Sequence, residues 1–293
     1  MPNSPPEKPV YRFAPSPNGF LHLGHALSAF LNHDMAKASG GRFLLRIEDI
    51  DLTRCTAEFE EMIYRDLTWL GLDWEMPVRR QSEHFDVYRD ALDRLRSMGL
   101  VYPTFLTRGD VKAHVTAYET DGKNWPRDPD GSPLYPDDDR LRNEAERAHL
   151  IAKGIKHAWR MDVMKAMALV GKQLSWQETG TGHPETIPAD PTIWGDVILS
   201  RSDAPSSYHL SVAIDDALQG ITHVVRGADL YTATAIHRLL QELLCLPEPV
   251  YHHHQLIVGS DGRKLSKSEG STGIAALRDE GLLPGDIRRI VGL

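Results

Sequence analysis

Two rhythms of apolar spacing alternate along the first hundred positions. Residues 10–14 form a short, mostly apolar run and 15–19 carry turn chemistry; Leu23, Leu27, Phe30, Leu31, Met35 and Ala38 then recur at helical spacing until Gly40-Gly41. A second strand at 43–47 follows directly. Thr56 is placed to cap a helix with the stripe Phe59, Met62, Ile63, Leu67 and Leu70, and Ser82 to cap another carrying Phe85, Tyr88, Leu92, Leu95 and Met98 before Gly99. This is the βαβ rhythm of an α/β protein with a parallel sheet. In such sheets ligands bind beyond the carboxyl ends of the strands, where the turn between Ala14 and His22 falls.

Between about 103 and 191 the rhythm breaks: 121–139 is rich in Asp, Pro and Gly, and only 141–153 reads as helical. An inserted connective unit is expected there. Beyond it, 196–200, 208–213 and 223–225 read as strands that restore the sheet, followed by a helix over 232–245. The expected division is therefore 1–102 and 192–258 as the two halves of one α/β domain, 103–191 as the insertion, and 259–293 as a loop and short helical stub.

Composition narrows the setting. The 293 residues contain neither a charged-then-apolar leader nor a long uncharged apolar run, so a cytoplasmic protein without membrane contact is expected. Cys55 and Cys245, the only cysteines, read as buried thiols rather than a disulfide framework. A net charge of −8 argues against a broad non-specific nucleic-acid surface and leaves room only for a local groove.

Candidate chemistry begins at His22-Leu23-Gly24-His25, where two imidazoles flank a glycine at a strand-to-helix turn. Backbone N–H groups and the helix dipole already favour anions at such a turn, so phosphate oxygens of ATP are the expected ligand, and the glycine is expected to admit the nucleotide closely. Lys264 and Lys267, in Lys264-Leu265-Ser266-Lys267-Ser268, would add positive charge against a transition state at an α-phosphorus.

The segments Arg12-Phe13-Ala14-Pro15-Ser16-Pro17, His22-Leu23-Gly24-His25, Arg46-Ile47-Glu48-Asp49-Ile50-Asp51, Tyr208-His209-Leu210, Asp215-Asp216, Val225-Arg226-Gly227-Ala228-Asp229 and the lysine loop stand in the order of the catalytic part of class I glutamyl-tRNA synthetases, which this chain resembles over nearly its whole length. The chain stops soon after the lysine loop, where a full synthetase continues into an anticodon-binding domain, so no such domain is expected. In this it resembles the paralogous glutamyl-queuosine tRNA(Asp) synthetases, which attach glutamate to queuosine in the anticodon loop. The resemblance implies a Rossmann-type catalytic domain, ATP with Mg2+, L-glutamate and the tRNA(Asp) anticodon stem-loop as partners, and a monomer. It implies that His22, Gly24, His25, Lys264 and Lys267 hold ATP and that Glu48 meets the amino group of glutamate, with Phe13, Ala14, Pro15, Ser16 and Tyr208 around it. A planar, permanently charged fork reads a side-chain carboxylate best, and Arg12 and Arg226 are the candidates.

The insertion departs from that pattern. Many of the queuosine-directed enzymes carry a zinc site of a Cys-x-Cys pair and a Tyr-x-x-x-Cys; here the positions read Thr104, Leu106, Tyr135 and Asp139, and zinc is expected to be absent. His252-His253-His254 is read as structural, since neighbours in a strand face opposite ways. Three other functions stay open: a compact enzyme charging a tRNA 3′ end, a small-molecule adenylyltransferase, and a nucleotide-binding regulator without catalysis.

Overall fold

The computed structural model describes residues 8–257 and 273–293. The turn at 260–262 and both lysines of the loop, Lys264 and Lys267, lie outside the described residues. The chain opens with β1 (Val10–Phe13), α1 (Leu23–Ala38), β2 (Arg42–Ile47), α2 (Ala57–Trp69), β3 (Glu75–Arg80) and α3 (Phe85–Ser97). Then come β4 (Val101–Thr104), α4 (Arg108–Thr120), α5 (Asp138–Leu141), α6 (Glu144–Ala152), β5 (Ala158–Met161) and α7 (Val163–Val170). Strands β6 (Leu174–Glu178), β7 (Glu185–Ala189) and β8 (Ile198–Arg201) precede α8 (Tyr208–Leu218), β9 (His223–Gly227), α9 (Thr234–Leu244) and β10 (Val250–His254). Helices α10 (Ile274–Asp279) and α11 (Pro284–Ile290) close the chain.

Seven strands form the main sheet in the order β3-β2-β1-β9-β10-β6-β7, parallel throughout except for the β6–β7 hairpin. From β1 the chain winds outward to β2 and β3, and from β9 it steps the other way to β10, beyond which lie the earlier β6 and β7. A topological switch point therefore lies between β1 and β9.

The strands alternate between two cores. Tyr11, Phe13, Leu45, Ile47 and Val225 pack with α1, α2, α10 and α11 on one face, while Val10, Leu44, Val224 and Tyr251 pack with α3, α8 and α9 on the other. On that second face each strand turns polar at its carboxyl end, two residues beyond its apolar anchor: Val10 gives way to Arg12, Leu44 to Arg46, Trp176 to Glu178, Val224 to Arg226 and Tyr251 to His253. The period of two thus carries five buried polar groups from separate strands to one end of the sheet.

Several expected elements differ. Residues 208–213 are the start of α8 rather than a strand: Ser207 accepts the Leu210 N–H in its side chain, and Leu210 through Asp216 are all buried, so the helix shows no polar face to betray its period. Strand β8 does not restore the main sheet but pairs with β5 in a separate antiparallel sheet of order β4-β5-β8. The span expected as an irregular insertion also holds α4, held by a Thr107–Asp110 capping box, and supplies β6 and β7 to the main sheet. Ser82 does not cap α3; its hydroxyl and N–H both donate to Asp49, at 2.5 and 2.8 Å. Cys245 is exposed, because it closes α9 in a left-handed conformation at the surface, and Cys55 is only half-buried. No helix among the described residues is long and apolar enough to cross a membrane.

Candidate active site

At the switch point lies a cavity of about 370 Å³. Arg12, Phe13, Ala14, Pro15 and Ser16 enter it from β1 and the turn beyond, Glu48 from the end of β2, and Arg226 from β9. The start of α1 adds His22, Gly24 and His25, and the start of α8 adds Tyr208. Every expected site residue that lies within the described residues therefore lines this one cavity.

His22 caps α1. Its Nδ1 accepts the Gly24 N–H at 3.1 Å, and its own N–H donates to Nδ1 of His25 at 3.2 Å. With both Nδ1 atoms accepting, the hydrogen-bond network assigns each ring proton to Nε2. Two N–H donors then stand at a helix N-terminus, where the macrodipole favours an anion. A Cβ on Gly24 would sit 3.1 Å from Cε1 of His22, so the glycine first makes room for the ring that caps its own helix.

The polar floor is a chain of charges. Asp216 of α8 receives Nε of Arg12 at 3.0 Å and Nη2 of Arg46 at 2.8 Å. Burial pushes the Asp216 carboxyl up, but the two guanidinium groups outweigh it and hold its pKa below the ordinary value. Arg46 is wholly buried and reaches Glu48 at 3.3 Å. Burial raises the pKa of Glu48 against the pull of Arg46 and Arg12, so an arriving ammonium would favour its ionised form. Asp215 turns the other way, accepting from Arg79 at 2.7 Å and from Gln81 and Tyr88 at 2.8 Å each. The adjacent carboxylates thereby tie α8 to β1 and β2 on one side and to β3 and α3 on the other.

The two arginine candidates differ. Arg12 gives its Nε and Nη2 edge to Asp216, whereas Arg226 is surrounded by hydroxyls, imidazoles and a carbonyl. Its Nη1 donates to Tyr208 Oη at 3.3 Å, which joins two residues of the expected ligand site. Sequence reasoning passed over Glu178 and His237, which stand behind Arg226. Nothing in the sequence marked either: the alternating burial of Leu174, Trp176 and Glu178 is a property of the fold.

Thr104, Leu106, Tyr135 and Asp139, the four positions of the zinc pattern, lie together in a hydrogen-bonded cluster. Asp139 is fully buried and its carboxylate accepts Phe105 N–H at 2.6 Å, Leu106 N–H at 3.2 Å, Tyr135 O–H at 2.5 Å and Arg142 Nε–H at 2.7 Å. Three of these donors crowd Oδ2 and the fourth meets Oδ1, and neither Thr104 nor Leu106 offers a thiolate. The imidazoles of His252, His253 and His254 likewise go to Thr179, Glu178 and the Gln255 carbonyl, in three directions. Among the described residues no group of three His, Cys, Asp or Glu side chains is arranged to hold a metal ion.

Comparison with known proteins places this geometry. The family of class I tRNA synthetases (E and Q), catalytic domain, matches residues 9–293. A Glutamyl-Q tRNA(Asp) synthetase of Rhodobacter capsulatus is 45% identical over 291 residues, covering 97% of this chain and 100% of that protein. Glutamate–tRNA ligase 2 of Syntrophus aciditrophicus is 37% identical over 94% of this chain, which spans 55% of the ligase. The crystal structure of a glutamate tRNA ligase from Elizabethkingia meningosepticum in complex with its amino acid superposes with a TM-score of 0.77 at 27% identity, over 98% of this chain and 61% of that one. Family, fold and switch-point cavity agree, and the chain belongs to the class I tRNA synthetases of the E and Q group, whose catalytic domain it carries.

Proposed function

We propose that this protein activates L-glutamate with ATP and transfers the glutamyl group to queuosine in the anticodon loop of tRNA(Asp). The observation that carries the reading is one cavity that offers Arg226 with Tyr208 to a carboxylate, Glu48 to an ammonium, and the His22–His25 helix start to phosphate. An α-carboxylate oxygen of glutamate attacks the α-phosphorus of ATP; the bond to the bridging oxygen breaks, and pyrophosphate leaves. No side-chain nucleophile takes part. Positioning and charge stabilisation are the chemistry required, with Nε2–H of His22 and His25 against phosphate oxygens and Lys264 and Lys267 proposed for the developing negative charge. Mg2+ is expected to arrive with ATP and to neutralise the departing pyrophosphate. In the second step an acceptor hydroxyl attacks the activated carbonyl, AMP departs, and the hydroxyl proton leaves with it or to water.

The acceptor half of the reading rests on a second cavity, of about 510 Å³, which shares Ser16, Asn18, Glu48 and Tyr208 with the first. Asp128, Asp130, Tyr135, Arg160 and Asp196 line it. Carboxylates there suit the secondary amine that links the cyclopentenediol of queuosine to its base. The similarity to glutamate–tRNA ligases supports a second reading, a compact enzyme charging a tRNA 3′ end.

Labelled glutamate, ATP and tRNA(Asp) with and without queuosine separate the two. Label is expected only on queuosine-containing tRNA and to survive removal of the 3′-terminal adenosine; label lost with that adenosine favours the second reading. Glutamate-dependent pyrophosphate exchange is expected without tRNA, with glutamine and aspartate as poor substrates, since an amide would turn donors toward the guanidinium.

A further inference from the structure

We infer that Glu178, His253 and His237 are positioning residues that fix the Arg226 guanidinium in the ligand cavity by presenting it with bare imidazole nitrogens, that of His253 being set by Glu178. The inference rests on the reading of Arg226 as the group that grips the side-chain carboxylate of the ligand.

Glu178 anchors the device. It is fully buried at the end of β6, and its Oε1 accepts the backbone N–H groups of Thr179, Gly180 and His253 at 3.1, 2.8 and 3.0 Å. Oε2 faces Nδ1 of His253 at 2.5 Å and Nε1–H of Trp176 at 3.3 Å. Burial pushes this carboxyl up, but hydrogen bonds from the His253 ring and from backbone N–H groups hold it down to about 2. An ionised carboxylate can only accept, so the proton of His253 stands on Nδ1. Its Nε2 is then a bare acceptor, and it takes Nε–H of Arg226 at 3.1 Å.

On the opposite edge a second imidazole accepts from the guanidinium. Nη1 of Arg226 donates to Nδ1 of His237 at 3.1 Å, which sends the His237 proton to Nε2 and on to Nδ1 of His209 at 3.2 Å. Burial, reinforced by the Arg226 charge, keeps both rings neutral: His209 is lowered to about 4 and His237 falls well below its ordinary value. Nη2 completes the grip on Thr234 Oγ1 at 2.7 Å and the Leu230 carbonyl at 3.1 Å. Exchanging the tautomer of either imidazole would set an N–H against an N–H of the guanidinium. The fork is thus held by acceptors that carry no net charge of their own, and the Nη1–H that meets Tyr208 Oη across the longest of these bonds, 3.3 Å, is the donor to be shared with a ligand.

Glu178→Gln tests this at constant volume. Three N–H donors around Oε1 require the amide oxygen there, so the NH2 group must face His253 Nδ1 and Trp176. His253 can then only accept at Nδ1, and its Nε2–H meets Arg226 Nε–H. In glutamate-dependent pyrophosphate exchange, E178Q is expected to raise KM for glutamate by about 10- to 100-fold, the scale on which groups behind a ligand-binding side chain act, while KM for ATP stays within about twofold. On the other arm, H237L is expected to raise KM for glutamate in the same way, and H237N, which keeps an acceptor near the position of Nδ1, to recover most of the loss. R226A serves as the reference. Unchanged KM for glutamate in E178Q and H237L, with R226A impaired, overturns the positioning device. An equal rise in both Michaelis constants with a lowered melting temperature also overturns it, since that is plain structural damage. If R226A leaves KM for glutamate unchanged, the reading of the cavity itself is wrong.

Discussion

Glu48 lines the ligand cavity while it is tied to the buried scaffold. It touches the wholly buried Arg46, yet burial still lifts its pKa above the ordinary carboxylate value. An ammonium ligand needs this group ionised, and a raised pKa means that the free enzyme loses that form on acidification sooner than an ordinary glutamate would. KM for glutamate is therefore expected to rise as pH falls toward the carboxylate range, with KM for ATP following a different profile. Glu48→Gln should raise KM for glutamate by about tenfold or more at neutral pH, the scale of a lost charge-assisted hydrogen bond, and flatten its dependence on pH. A steady-state pH series for both proteins checks it. A wild-type slope that persists in E48Q would assign the titration to another group.

At the scale of elements, α8 does most to organise the cavity, for it carries Tyr208 at its start and Asp215 and Asp216 near its end. Its first turn hangs on Ser207, so Ser207→Ala is expected to cost about 1 kcal/mol of stability, read from urea denaturation, with Tyr208 displaced and glutamate affinity reduced. A fully stable S207A with wild-type affinity would contradict that. The same helix marks where sequence reading stops. β1, α1, β2 and α2 are legible because each is polar on one side or closed by turn residues such as Gly40-Gly41. α8 buries every residue from Leu210 to Asp216, so 208–213 reads as a strand until its packing is known. The polar α4 buries only Val115, so periodicity cannot reveal it, although Thr107 and Asp110 spell its cap. Within the site, Arg12, His22, Glu48 and Arg226 could be named because they stand in motifs that resemble those of the glutamyl-tRNA synthetases. Glu178 and His237 could not, since what each does depends on contacts from distant parts of the chain.

For the molecule as a whole, the imidazoles around Arg226 set a direction for stability against acid. Burial lowers the pKa of His209, His237 and His253 below the ordinary histidine value. Between the ordinary value near 6.5 and the lowered folded one, the unfolded chain binds protons that the folded chain refuses. Their contribution to stability is therefore full above about pH 6.5 and is lost as pH falls toward the lowered folded values, about 4 for His209, by up to about 1.4 kcal/mol per pH unit for each such group. Urea midpoints from pH 7.5 downward should show the decline, and H237N should show a shallower one. A midpoint independent of pH over this interval would mean that the rings are protonated in the native state.

The position of β6 has a consequence for modularity. The span 103–191 reads, from the sequence, as an inserted connective unit. Yet its strand β6 lies against β10, and the last residue of β6, Glu178, holds the proton of His253 in place. A chimaera that swaps the whole span must import an acid at that register, or it trades acceptor recognition for blurred choice of amino acid. The workable splice points are those that leave the β6–β7 hairpin with its host.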